Sequence, residues 1–79
     1  MNNKEKYDKV FRDSFSLDQS NLDDNLVYES VTEWDSIGHM GMIAELEEVF
    51  EIELETDDII DFSGFEKGKE ILNNYGVEI

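Results

Sequence analysis

The sequence predicts an all-α fold, a bundle of three principal helices plus one short helix, with a long loop between helices 1 and 2. Three observations carry this expectation. Apolar residues recur at helical spacing in three stretches, residues 16–34 break that period with turn-forming side chains, and no proline occurs anywhere in the chain. At 79 residues the chain is read as one domain, 1–79, and a domain of that size buries only about 60% of the surface its unfolded chain exposes.

Tyr7, Val10, Phe11 and Ser14 fall at i, i+3, i+4 and i+7, and with Phe15 they form one face of a first helix from Lys4 to Phe15. The following loop contains the run DQSNLDDN, whose side chains compete for backbone hydrogen bonds as turn formers do. A loop of that length needs anchoring, so Leu17, Leu22, Leu26 and Val27 are expected to pin it to the core.

The helical signal is strongest from Ser36 to Phe50, and it divides into two stripes. Met42, Ile43, Leu46, Val49 and Phe50 make a core stripe. Ile37, Met40 and Ala44 form a second apolar line that runs on into Glu47 and Glu48, and a small bundle has no obvious use for both.

Residues 50–55 alternate apolar and acidic, yet one isolated strand has no partner, so they are read as an extended connection. Thr56 is expected to cap a short helix from Asp57 to Asp61, with acids in its first turn where the helix dipole favours them. Ser63 and Glu66 have the spacing of a capping box. Phe65, Gly68, Leu72 and Tyr75 then follow in a last helix that Gly76 stops. A glycine inside a helix costs about 1 kcal/mol relative to alanine, so Gly68 points to close helix packing.

Charge bounds the function classes. The net charge is −15, and all six basic residues lie near the ends: Lys4, Lys6, Lys9 and Arg12 at one, Lys67 and Lys69 at the other. From Asp13 to Glu66 there are 17 acids and no lysine or arginine. Such a surface repels polyphosphate backbones, which argues against nucleic acid, and it complements basic protein patches, where opposite charge raises association rates. A plainer reading is that the acidity only keeps a small domain soluble. With no cysteine, no apolar stretch of signal length and no membrane span, the chain is expected to be cytoplasmic.

Catalysis is poorly provisioned, and the chain is not expected to be an enzyme. His39 is the only histidine, and no side chains are placed as a triad with it. Its position three residues after Ser36 suggests a dyad only weakly, and a histidine at the core edge is the commoner case. The stretch DQSNLDDNLVYE has the composition of a calcium loop, but Leu22 would occupy a ligand position and the turn glycine is missing, so no specific metal site is expected, while loose binding of divalent cations by the acids stays open.

The segment Trp34-Asp35-Ser36-Ile37-Gly38-His39-Met40 stands at the junction of the long loop and the two-striped helix. With Leu46-Glu47-Glu48-Val49-Phe50 at that helix's end, the helix order and the acidity, the sequence resembles the acyl carrier protein family over essentially its whole length. The resemblance implies an acyl-carrier-like bundle in which Ser36 is the attachment residue for 4′-phosphopantetheine. A phosphopantetheinyl transferase would transfer that arm from coenzyme A, with Asp35 as the adjacent acid. It also implies that Ile37, Met40 and Ala44 dock into apolar hollows on acyl-loading and acyl-transferring enzymes, while Glu47 and Glu48 meet basic residues around those hollows. The carrier is expected to act as a monomer. A serine at a helix start suits this role, because free backbone N–H groups and the positive dipole end tolerate a phosphodiester. The competing reading makes Ser36 or Asp35 merely an N-cap, worth about 1 kcal/mol.

Trp34 before Asp35, and Gly38 and Gly41 around Met40, depart from the fatty-acid-synthesis type and look more like specialised carriers of lipid, polysaccharide or secondary-metabolite pathways; the two glycines also imply a looser helix start. The alternatives are an aminoacyl or peptidyl carrier, or an acidic interaction module that is never modified. If an acyl chain folds back between the helices, gaps lined by Met42, Leu46 and Ile59 are expected to receive it, each buried CH₂ contributing about 0.8 kcal/mol.

Overall fold

The computed structural model describes all of residues 1–79. Its four α-helices are α1 (Asn3–Phe15), α2 (Ser36–Phe50), α3 (Thr56–Asp61) and α4 (Phe65–Asn73), with one turn of 3-10 helix at Gln19–Asn21 inside the first loop. There is no sheet, only a lone antiparallel bridge between Val27 and Gly64. The molecule is thus a small all-helical bundle, and no helix is long and apolar enough to cross a membrane.

α1 starts where the Asn2 side chain accepts the Glu5 N–H at 2.8 Å, and it ends at Ser16 in the left-handed region. Tyr7, Val10, Phe11 and Phe15 are all buried, as their spacing predicts. Phe11 is the hub of the core: its ring centre lies 4.9 Å from Tyr7, 5.0 Å from Phe65 and 5.6 Å from Trp34. Each such aromatic pair adds about 0.5–1.5 kcal/mol beyond the area it buries. The Tyr7 hydroxyl donates to the Phe65 carbonyl at 2.6 Å, joining α1 to α4. Burial pushes this phenol well above its ordinary pKa, with the Glu66 and Asp8 charges adding to the shift. Gly68 faces the same spot, where a Cβ would run into the Phe62 ring and the Tyr7 hydroxyl, so close packing accounts for that glycine.

The first loop is fastened at both ends. Near its start, Gln19 Nε2 donates to Asp8 Oδ2 at 2.8 Å, and the same oxygen accepts from Lys4 Nζ at 2.8 Å. Burial raises the Asp8 carboxyl, but those hydrogen bonds and the Lys4 charge outweigh it and leave the group below its ordinary value. The stability Asp8 contributes is therefore held above the ordinary carboxylate range and lost as pH falls through its lowered pKa. Farther on, Tyr28 N–H donates to the Ser63 carbonyl and Phe65 N–H to the Leu26 carbonyl, both at 2.9 Å. Leu26 is buried and Leu17 and Leu22 pack partly against the core, as expected, but Val27 is 43% exposed. The extended backbone of the bridge explains the correction: successive side chains point opposite ways, so Leu26 goes in and Val27 lies out over Gly64.

Two expected caps are replaced. α3 starts one residue early, at Thr56, with Glu55 as its N-cap and no side-chain cap, and the Glu55 N–H is taken by the Tyr75 hydroxyl at 3.0 Å. Tyr75 in turn donates to Asp58, which raises its phenol pKa. α4 has Gly64 as N-cap, not a Ser63–Glu66 box, because the bridge holds Gly64 extended and Glu66 pairs with Lys69 at 3.0 Å instead. The last turn tightens through Tyr75 N–H to Leu72 O and Gly76 N–H to Asn73 O, and Gly76 ends it at φ 83°.

Candidate functional site

The start of α2 is set by Asp35, whose Oδ1 accepts the Gly38 N–H at 2.7 Å while its carbonyl accepts from His39 N–H at 2.8 Å. Asp35 is therefore the N-cap, and Ser36 is the first helical residue. Ser36 is exposed, and its hydroxyl has no hydrogen-bond partner in the protein, because the capping duty has fallen to its neighbour. Gly38 is required on different grounds from the looseness expected of it. A Cβ there would run into the Glu33 carbonyl, so the glycine lets the loop backbone pass tightly over the helix start.

Beside Ser36 lies an open cleft of about 350 Å³ between α2 and α3, lined by Ser36, His39 and Met40 from α2, Ile59 and Ile60 from α3, and by Tyr28, Phe62 and Ser63. Its walls are mostly apolar. Sequence reasoning placed a gap deeper, among Met42, Leu46 and Ile59, and the structure corrects that. Met42 and Leu46 are fully buried in packed core, and of the three only Ile59 lines the cleft. Tyr28, Ile60, Phe62 and Ser63 were missed as site residues. A short helix with two consecutive isoleucines held the signal for one of them, since Ile59 facing inward leaves Ile60 outward, 73% exposed.

His39 sits at the floor of the cleft. Trp34 Nε1–H can only donate, so His39 Nδ1 accepts it, at 2.9 Å. Its other nitrogen, Nε2, then carries the proton and donates to the Ile59 carbonyl at 2.8 Å. Both ring nitrogens are thus occupied, which leaves none to act as a base on Ser36. Trp34, fully buried, stacks on Phe15 at 5.0 Å and on His39 at 6.2 Å. The relay ties the loop, α2 and α3 together through one side chain.

The second line of α2 emerges as expected on the surface. Ile37 is 82% exposed, Met40 54%, and Ala44 is exposed. Glu48 is also exposed. Glu47 differs from its expected role: half-buried, it accepts the Leu54 N–H on Oε2 at 2.9 Å, and its carbonyl accepts from the Ile52 N–H at 3.1 Å, so it clamps the turn after α2. All three ion pairs of the molecule are made by lysines of α1 or α4. The acids of α2 and α3 have no basic partner in the fold, and the face around Ser36 is negative.

Searches against family models, curated proteins and solved structures found no match to this chain.

Proposed function

We propose that the chain is an acyl carrier protein whose Ser36 hydroxyl holds a 4′-phosphopantetheine arm. One observation carries the reading: Asp35 caps α2, so Ser36 stands exposed at the helix start with a free hydroxyl on the rim of an apolar cleft. In the transfer, the serine oxygen forms a new ester bond to the phosphorus of coenzyme A that bears the pantetheine. The pyrophosphate bond breaks, adenosine 3′,5′-bisphosphate leaves, and the serine proton passes to a base on the transferase. The N–H groups of Ser36 and Ile37, unpaired at the positive end of α2, favour the phosphodiester that results. The arm supplies the thiol that this chain lacks, so an acyl group is carried as a thioester.

Asp35 spends one carboxylate oxygen on the cap, and the other is available to a metal or basic group of the transferase. Ile37, Met40 and Ala44 offer an apolar line to partner enzymes, with Glu48 as the acid beside it. Exposed ion pairs are worth about 0–1 kcal/mol each, which keeps docking reversible, as a shuttle requires. A cytoplasmic monomer that binds no nucleic acid is part of the same reading.

The exposed apolar line would serve equally an acidic interaction module that is never modified, and intact mass separates the two. Incubation with a broad-specificity phosphopantetheinyl transferase, magnesium and coenzyme A should add one phosphopantetheine to wild type and none to Ser36→Ala. A wild type left unmodified favours the interaction module.

A further inference from the structure

We propose that His39 confines the cargo to the surface cleft between α2 and α3 and so selects short acyl groups; the inference rests on the carrier reading above. For a long chain to reach the core from Ser36, it has to pass between α2 and α3, and His39 spans that seam. Its Nε2–H holds the Ile59 carbonyl at 2.8 Å, and its Nδ1 holds the Trp34 Nε1–H at 2.9 Å. Moving it aside breaks the α2–α3 link and strands the N–H of a fully buried tryptophan.

The barrier is wider than one ring. Tyr28 and Phe62 meet His39 edge-on at 5.6 and 6.1 Å, while Trp34 stacks against it. Behind this wall Met42, Leu46 and Leu72 are fully buried. None of the four hollows of the molecule is lined by Leu46 or Leu72. At about 350 Å³ the cleft stands near the small end of ligand pockets. It is open to solvent, so a chain lying along it is not enclosed, and the methylenes of a long chain stay in contact with water.

The test loads the full chain from acetyl- and dodecanoyl-phosphopantetheine forms of coenzyme A and confirms each adduct by intact mass. In wild type the two thioesters should react with hydroxylamine at rates within about twofold, because no additional methylene is buried for the longer chain. The amide resonances of Leu46 and Leu72 should be the same in both. In His39→Ala the dodecanoyl thioester should become about tenfold slower to cleave than the acetyl, a difference of about 1.4 kcal/mol. His39→Gln, which offers both an acceptor and a donor, should restore the wild-type pattern.

A wild-type dodecanoyl thioester already protected about tenfold, with shifted Leu46 and Leu72 amides, overturns the proposal while leaving the carrier reading intact. A folded His39→Ala that protects neither thioester overturns the assignment to His39. If that variant fails to fold, the two wild-type adducts decide by themselves. Absence of any mass gain overturns the carrier reading and the cargo limit together.

Discussion

The two apolar lines of α2 share one helical spacing and have opposite surroundings. Met42, Ile43 and Leu46 are at most 1% exposed and meet α1 and the aromatic core, whereas Ile37, Met40 and Ala44 face solvent among acids that no lysine or arginine of the fold neutralises. One line holds the bundle together and the other is free for a partner. A helix apolar on two sides is ordinarily a buried helix. Here the second side is left uncovered beside the one exposed serine whose neighbour has relieved it of capping. The same division runs through the acids: Asp35 and Glu47 hold the two ends of α2, and Glu48 holds nothing.

Seven substitutions at six positions press on that contrast. Leu46→Ala should have the largest effect, lowering stability by about 2–5 kcal/mol in urea unfolding, as deletion of a fully buried leucine does. A loss below 1 kcal/mol there would mean the inner line is not the structural one.

Asp35→Ala should cost about 1 kcal/mol through loss of the cap, while Asp35→Asn, an equally good N-cap, should unfold as wild type does. If Asp35→Asn keeps its melting temperature yet accepts the arm more slowly, the carboxylate serves the transferase as well as the helix.

Glu47→Ala should cost about 0.5–1.5 kcal/mol through the lost bond to the Leu54 N–H, and Glu48→Ala should leave the melting temperature unchanged. Equal effects of the two would erase the distinction between a clamping acid and a free one. Smallest of all, Ile37→Ala and Met40→Ala should shift stability by less than about 0.5 kcal/mol, as surface changes do. Under the carrier reading they should slow turnover by partner enzymes at unchanged helical circular dichroism.

Much of the fold was legible because helical periodicity is a local property. The α1 face, both lines of α2 and the close packing at Gly68 follow from residue spacing, and the structure agrees with each. The caps of α3 and α4 were misread because Ser63 and Thr56 compete with partners far along the chain: the Leu26–Val27 segment claims Gly64, and Tyr75 claims the Glu55 N–H. The cleft was placed too deep for a related reason. Met42 and Leu46 are apolar and well spaced, but whether a gap lies between them depends on how Trp34, His39 and Phe62 fill the same space.

The order of residues by itself determined an all-helical chain, its negative middle and a serine at the mouth of α2, since these depend on near neighbours and on composition. Tertiary structure alone decided that Asp35 frees the Ser36 hydroxyl, that Glu47 belongs to the fold and that His39 closes the seam between α2 and α3. Each of those outcomes turns on a specific hydrogen bond, Asp35 to the Gly38 N–H at the helix start, Glu47 to the Leu54 N–H beyond the helix end and His39 between Trp34 and the Ile59 carbonyl, and only the folded backbone brings each donor to its acceptor.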